Sequence, residues 1–410
     1  MPFFDVADPA FSVTSAEVRQ AREAGWYART SYGLAVLRYD QVSRLIRHPA
    51  LRQGSRLWPA HHGITSGPFA DWWAGWVLNL EGEAHHRLRR LLSPAFSRRI
   101  VEALRPRFRD LAGQLVDSFA EPGQCEFMAE FAQPYAARVI AIVLGIAEEQ
   151  WPTIAAESAT LGLAMGVGIG EYLPRIEAAL AALYDYADAL IAGRRRDPRD
   201  DLVTCLVMSQ ADEGGLTTAE LRDSLVLLIF GGFDTTRNQL GLAMQVFMDH
   251  PDQWRLLGEH PELGASAVEE VMRVRPTTTW VTREALADFT FDGLDIKAGT
   301  TIYLFCESAG TDAAQAGGPE FDISAAGRPP HFGFGGGVHY CLGHYLARAD
   351  MSAALTVLAS RLSGPRPAGT AVWLPESGNT GPVRLPVAFT PSPLPRCLYP
   401  AGPGGRVSPT

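Results

Sequence analysis

The chain has 410 residues, 47% hydrophobic and 20% charged, the balance of a folded globular protein rather than a disordered or membrane-embedded one. Its formal net charge of −9 argues against nucleic-acid binding. Five cysteines, an odd number with no CxxC pair, exclude a disulfide framework and a zinc ribbon and point to a reducing, cytoplasmic compartment.

Residues 1–15 carry Asp5, Asp8 and Pro9 and have neither a basic stretch nor a long apolar run, so no signal peptide or membrane anchor is expected there. Residues 15–25 read as a short helix, 26–39 as a hairpin about Tyr32-Gly33, and 40–48 as a helix stopped by Pro49. Residues 52–84 read as a long loop that either lids a pocket with Trp58, Trp72, Trp73 and Trp76 or buries them as core. Residues 85–96 are helical. His85 and Arg89 share one face there, which suits either an anionic ligand or a solvated surface. Two more helices are expected over 100–120 and 129–144. Within 151–193 the glycine-rich run 162–170 separates two helical segments, as an access gate or an ordinary loop.

The longest helical pattern covers 217–250. Gly231 and Gly232 in its middle cost about 1 kcal/mol each relative to alanine. Asp234, Thr235 and Thr236 follow in apolar surroundings, where an acid is expensive unless paired or functional. A helix opened at the glycines would bring Asp234 and Thr235 to a ligand and to water; the other reading is a packing contact with helix-bonded hydroxyls. Residues 261–274 form a helix with Glu270 and Arg273 one turn apart, and 276–283, 289–291 and 301–305 read as strands. An irregular stretch, 310–330, leads into a glycine-dense loop around Cys341 and a helix over 342–362. A thiol at a helix N-terminus is favoured as thiolate. The loop therefore either offers a thiolate to a flat metal cofactor or holds a buried free cysteine. A terminal hairpin turns at Gly378-Asn379-Thr380-Gly381, and residues 391–410 read as a mobile tail behind a single domain, 1–390.

These motifs resemble, in order, those of the cytochrome P-450 superfamily, soluble bacterial type. Phe334 to Gly343 resembles its haem-binding signature FGxGxHxCLG, and Glu270-Val271-Met272-Arg273 its ExxR motif. Gly231 to Thr236 resembles its [AG]GxDTT motif, and His85 to Arg89 its HxxxR helix. The resemblance implies a mainly α fold with small β-sheets (α+β), with haem between the long central helix and the cysteine-loop helix. It implies haem b (iron protoporphyrin IX) with the Cys341 thiolate as metal ligand, Phe334 and Gly343 beside the sulfur, and His85, Arg89, Arg283 and His339 on the propionates. Asp234 and Thr235 would be the catalytic proton relay, and Glu270 and Arg273 a structural pair with Arg328 as third partner. The implied reaction inserts one oxygen atom of O2 into a mid-sized, mostly apolar organic substrate, by hydroxylation or epoxidation, in bacterial natural-product biosynthesis. NAD(P)H, a ferredoxin reductase and a ferredoxin would supply electrons to a monomer with no membrane partner, the ferredoxin docking on Arg98, Arg99, Arg105 and Arg348. Trp72, Trp73, Phe230, Phe233, Thr279, Val281 and Thr380 would line the substrate pocket. Alternatives on the same haem are oxidative aromatic coupling, peroxide-driven oxidation, or ligand binding without turnover. Four positions depart from the pattern: Gly310 and Thr311 stand where asparagine and arginine are usual, Asp350 replaces glutamate, and Phe233 is bulkier than expected.

Overall fold

Thr217 and Glu220 close a reciprocal capping box that starts a helix of 32 residues, Thr218–Asp249. Its interior residues are buried on nearly every side, so other helices must pack around it. The computed structural model describes residues 1–211 and 214–392. In chain order its helices are α1 (Ala16–Ala24), α2 (Tyr39–Leu45), α3 (Trp58–His61), α4 (Pro68–Gly75), α5 (Gly82–Leu92), α6 (Arg98–Phe119), α7 (Gln133–Leu144), α8 (Trp151–Gly162), α9 (Ile169–Arg196), α10 (Leu202–Met208), α11 (Thr218–Asp249), α12 (Pro251–Glu259), α13 (Gly264–Val274), α14 (Cys306–Gly310) and α15 (His344–Arg361). Helices α7, α8 and α9 pack on α11 from one side, while α15 lies along α6 and α13.

The small sheets flank this helical body. One has six strands in the order β1 (Phe3–Phe4), β2 (Tyr27–Thr30), β3 (Gly33–Val36), β9 (Thr301–Phe305), β6 (Trp280–Ala285), β4 (Leu51–Gln53). β3 runs parallel to β9, and β6 antiparallel to it with Thr282 opposite Tyr303. β7 (Phe289–Phe291) and β8 (Leu294–Ile296) form a hairpin, as do β11 (Val372–Trp373) and β12 (Pro382–Arg384). β10 (Leu362–Pro367), β13 (Pro386–Pro391) and β5 (Gln124–Glu126) make a third sheet. The mainly α fold with small sheets is the one expected.

The irregular stretch after α14 is held by two arginines, Arg273 from α13 and Arg328 from within the stretch, the latter donating to the Ala316, Gly317 and Glu320 carbonyls. Arg273 donates to both Glu270 oxygens at 2.7 Å and to the carbonyls of Gly310, Gly318 and Glu320 at 2.6–2.7 Å. Arg328 lies 3.2 Å from Glu270 as the third member. Thr311 takes a hydrogen bond from Arg22 at 2.7 Å, so α1 supplies an arginine to the position that lacks one.

Some expectations change. The long loop 52–84 contains α3 and α4, each opened by proline in its first turn. The helix expected from 129 begins with a π-helical turn, Met128–Ala132. α11 runs unbroken through Gly231 and Gly232. The tail expected from residue 391 lies, beyond Ser392, outside the described residues. Among the described residues no helix is long and apolar enough to cross a membrane.

Candidate active site

A cavity of about 370 Å³ opens between α11, the cysteine loop and the first sheet. Phe334 to Gly336, His339, Cys341 to Gly343, Leu346 and Ala347 form one wall. Leu227, Leu228, Phe230 to Gly232, Thr235 and Thr236 of α11 form another. Trp58, His61, Trp73, Trp76, Arg89, Met165, Thr278, Trp280 to Arg283, Tyr303, Gly378 and Asn379 are among the residues of the remaining wall.

The cysteine loop is shaped by backbone. Gly335 and Gly337 both sit at φ 69°, where a side chain is strained. A Cβ on Gly336 would lie 2.7 Å from Ile46. The Cys341 N–H donates to the Phe334 carbonyl at 3.0 Å, folding the loop back so that its sulfur faces the cavity ahead of α15. Burial pushes the Cys341 thiol above its ordinary pKa, against the Gly343 N–H and the charges of Arg89 and Arg348, which favour the thiolate. Cys306 is the contrasting case. It is buried in a separate cluster with Ile302 and Leu304, its thiol faces the Leu304 carbonyl, burial pushes it up to about 12, and it does not line the cavity.

The basic groups fit an anionic cofactor beside that sulfur. His85 is buried with both ring nitrogens unpartnered. Its pKa falls to about 4 through burial, His339 and Arg89. Its ring lies 4.3 Å from that of His339, whose Nδ1 is also unpartnered and whose Nε2 is 3.3 Å from Glu81. Arg89 reaches the cavity wall, and no carboxylate pairs with it among the described residues. Buried unpaired nitrogens next to a guanidinium are costly without an anion, and a thiol-bearing wall beside them suits a metal cofactor that carries carboxylates. Arg283 also lines the cavity, but donates to Ile46 and Gly336 carbonyls and to Gln53.

On the α11 wall, Thr235 Oγ1 donates to the Gly231 carbonyl at 2.6 Å and lines the cavity. Asp234 does not reach the wall. It is 2% exposed, accepts from Arg237 at 2.7 Å and from Asn238 and Asn379, and packs on Gly162. Burial raises its pKa, opposed by Arg237 and Asn379. Asn379, read in sequence only as a turn residue, touches both Asp234 and the cavity.

Of the expected pocket residues, Trp73, Phe230 and Val281 line the cavity. Phe233 points the other way, into Ala136, Ala137 and Ala155, because α11 turns it toward α7 and α8. Trp72 lies behind Trp76, ring centroids 4.5 Å apart. Thr279 faces away from the cavity and donates to the Ser377 carbonyl; Thr380 is behind Asn379 and offers its carbonyl to Thr277. His85 is likewise one layer behind His339. Trp76 and Tyr303 are wall residues that sequence reasoning under-read or missed. Tyr303 carried no signal beyond a strand position.

The family model described as Cytochrome P450 matches residues 262–381. The luteothin monooxygenase of Streptomyces thioluteus is 38% identical over 95% of this chain and 96% of its own length. The mycinamicin IV hydroxylase/epoxidase of Micromonospora griseorubida is 36% identical over 77% of this chain and 80% of its own length. Among solved structures, CalO2 superposes with a TM-score of 0.84 at 28% identity, covering 94% of this chain and all of that one. P450BioI, solved with an acyl carrier protein bearing hexadec-9Z-enoic acid, gives 0.83 at 26% identity over 91% of this chain and 97% of that one.

Proposed function

The chain belongs to the cytochrome P450 family of haem-thiolate monooxygenases, and from that premise we propose that Cys341 ligates haem b and that O2-dependent oxygen insertion occurs on a mid-sized, mostly apolar natural product in the cavity. The observation that carries this reading is that Cys341 and Thr235 line one largely apolar cavity from two different elements. Names among the relatives, a luteothin monooxygenase and a mycinamicin IV hydroxylase/epoxidase, support hydroxylation or epoxidation of a natural product. We assign residues 1–390 to one catalytic domain.

When bound, haem supplies the oxidising chemistry, and the chain supplies ligand, protons and orientation. Cys341 gives the thiolate, stabilised by the Gly343 N–H. Arg89 and His339 would hold the haem carboxylates from the cavity wall, with His85 behind His339. Arg283 joins them by exchanging one of its carbonyl bonds for a charge-assisted one. Thr235 keeps its proton at Oγ1, and rotation about χ1 turns it from Gly231 into the cavity. Once its carboxylate releases Asn379 or Arg237, Asp234 would take a proton from solvent water and pass it on to Thr235 whenever the hydroxyl has given its own away. Electrons reach the site from NAD(P)H through a ferredoxin reductase and a ferredoxin. Arg105 is paired with Glu102 and Arg348 with Glu269, which leaves Arg98 and Arg99, exposed at the start of α6, as the docking charges.

The test is spectroscopic and then chemical. The reduced, carbon monoxide-treated protein should show the red-shifted Soret band of thiolate ligation, and Cys341→Ser should lose it; a variant that keeps the band removes Cys341 as ligand. With ferredoxin, reductase and NAD(P)H under isotopically labelled O2, the product should carry the label. Thr235→Ala should divert reducing equivalents to peroxide, and unchanged coupling would take Thr235 out of the relay. Product formed only with peroxide points to the peroxide-driven alternative.

A further inference from the structure

Four residues that line the cavity carry a buried polar atom with no partner in the protein: the histidines His61 and His339, each at Nδ1, and the aromatics Trp76 and Tyr303. Trp76 is 3% exposed and Tyr303 1%, both line the cavity, and neither Trp76 Nε1 nor Tyr303 Oη makes a hydrogen bond. Two other indoles of the wall are satisfied: Trp58 Nε1 donates to the Ala164 carbonyl and Trp73 Nε1 to the Ser55 carbonyl, each at 2.9 Å. The unpaired pair is therefore not a general property of aromatics in this wall. A buried donor left unpaired is costly, so whatever fills the cavity should complete both. An indole N–H can only donate, and its partner must accept. Burial pushes the Tyr303 phenol well above its ordinary pKa, so it too keeps a proton to donate.

The two donors stand on different walls. Trp76 lies against Phe230 of α11, ring centroids 5.8 Å apart. Tyr303, on β9, lies edge-on to Trp280 at 5.7 Å. A ligand meeting both would be apolar along its body and carry an acceptor toward each. We propose that the substrate is an apolar scaffold bearing carbonyl or ether oxygens, and that Trp76 and Tyr303 set specificity by donating hydrogen bonds to them. This rests on the reading that the substrate occupies this cavity.

Fluorenone and fluorene test it, being alike in size and shape but for one carbonyl oxygen. Equilibrium dialysis against the haem-loaded protein reads binding without turnover. Fluorenone should bind about fivefold more tightly than fluorene, the equivalent of about 1 kcal/mol. In Trp76→Phe/Tyr303→Phe, which leaves an aromatic ring at each position and removes both donors, that preference should vanish while fluorene affinity moves less than about twofold. Equal binding of the two probes to the wild type, as when ordered water completes the donors, overturns the proposal and leaves the cavity as the substrate site. A preference that survives in the double variant overturns it as well. Failure of both probes to bind removes the cavity as the substrate site, and the proposal with it.

Discussion

Asp350 is a carboxyl in the wrong solvent. It is 1% exposed on α15, and its Oδ1 has no partner. Burial pushes its pKa well above the ordinary value, against one backbone N–H at Met351. An unfolded aspartate titrates near 3.9. Above that pH the unfolded chain releases a proton that the folded chain keeps, so this group's contribution to stability is fully present below about pH 4 and is lost as pH rises toward the folded value. Asp350→Asn keeps the shape and removes the titration. Its thermal midpoint should match the wild type near pH 4 and exceed it by about 2 °C at pH 7.5; the same difference at both pH values would show that ionisation is not the cause. Asp234 is buried as deeply, but it has Arg237, Asn238 and Asn379. That contrast separates a carboxyl kept for charge from one that only fills space.

The glycine pair of α11 divides its work between packing and cavity. A Cβ on Gly232 would lie 2.1 Å from Ile140 Cδ1 on α7, whereas one on Gly231 meets nothing closer than Leu227 Cδ1 at 4.0 Å. Gly232 thus lets two helices approach, and Gly231 leaves room in the cavity wall. Gly231→Ala should be neutral or stabilising by up to about 1 kcal/mol, from helix propensity alone. Gly232→Ala should cost about 1–3 kcal/mol through overpacking. Ile140→Val removes the nearest clashing atom and should recover part of that loss, read as a coupling energy in urea unfolding of the four proteins. Additive losses would show that Ile140 is not the obstacle. The element itself was legible in sequence, because the helical pattern over 217–250 set its limits to within a residue. What each face touches was not. Phe233 and Asp234 were placed toward the pocket by the family resemblance, yet each residue turns about a third of the way round a helix, and only α7 and α8 show which side is occupied. α4 was hidden for another reason: eight aromatic-rich residues between glycines look like a loop until packing against α9 and α11 fixes them.

Across the whole molecule, the cysteine loop and α11 meet only because a long irregular stretch brings the loop back under the helices. That stretch has little secondary structure of its own, so its backbone carbonyls need donors from elsewhere. Arg273 spends every guanidinium nitrogen on this task, and Glu270 neutralises it in a site where their side chains are only 3% and 5% exposed. The pair was visible in sequence as residues one turn apart, and its structural role with Arg328 was implied by resemblance; that it reaches residues 310, 318 and 320 was not legible, since nothing local marks such long-range partners. A lysine at 273 retains charge but cannot present a planar fork to a carboxylate and three carbonyls together. Arg273→Lys should therefore lose about 3 kcal/mol, in the range for a broken buried pair. The loss should appear as a lowered urea midpoint and as poor haem loading, because the Cys341 loop is the segment left untethered. Added haem should restore part of the midpoint by mass action. If Arg273→Lys unfolds like the wild type but still loads haem poorly, Arg273 acts on the loop alone, and the view of this pair as the tie between helices and site fails.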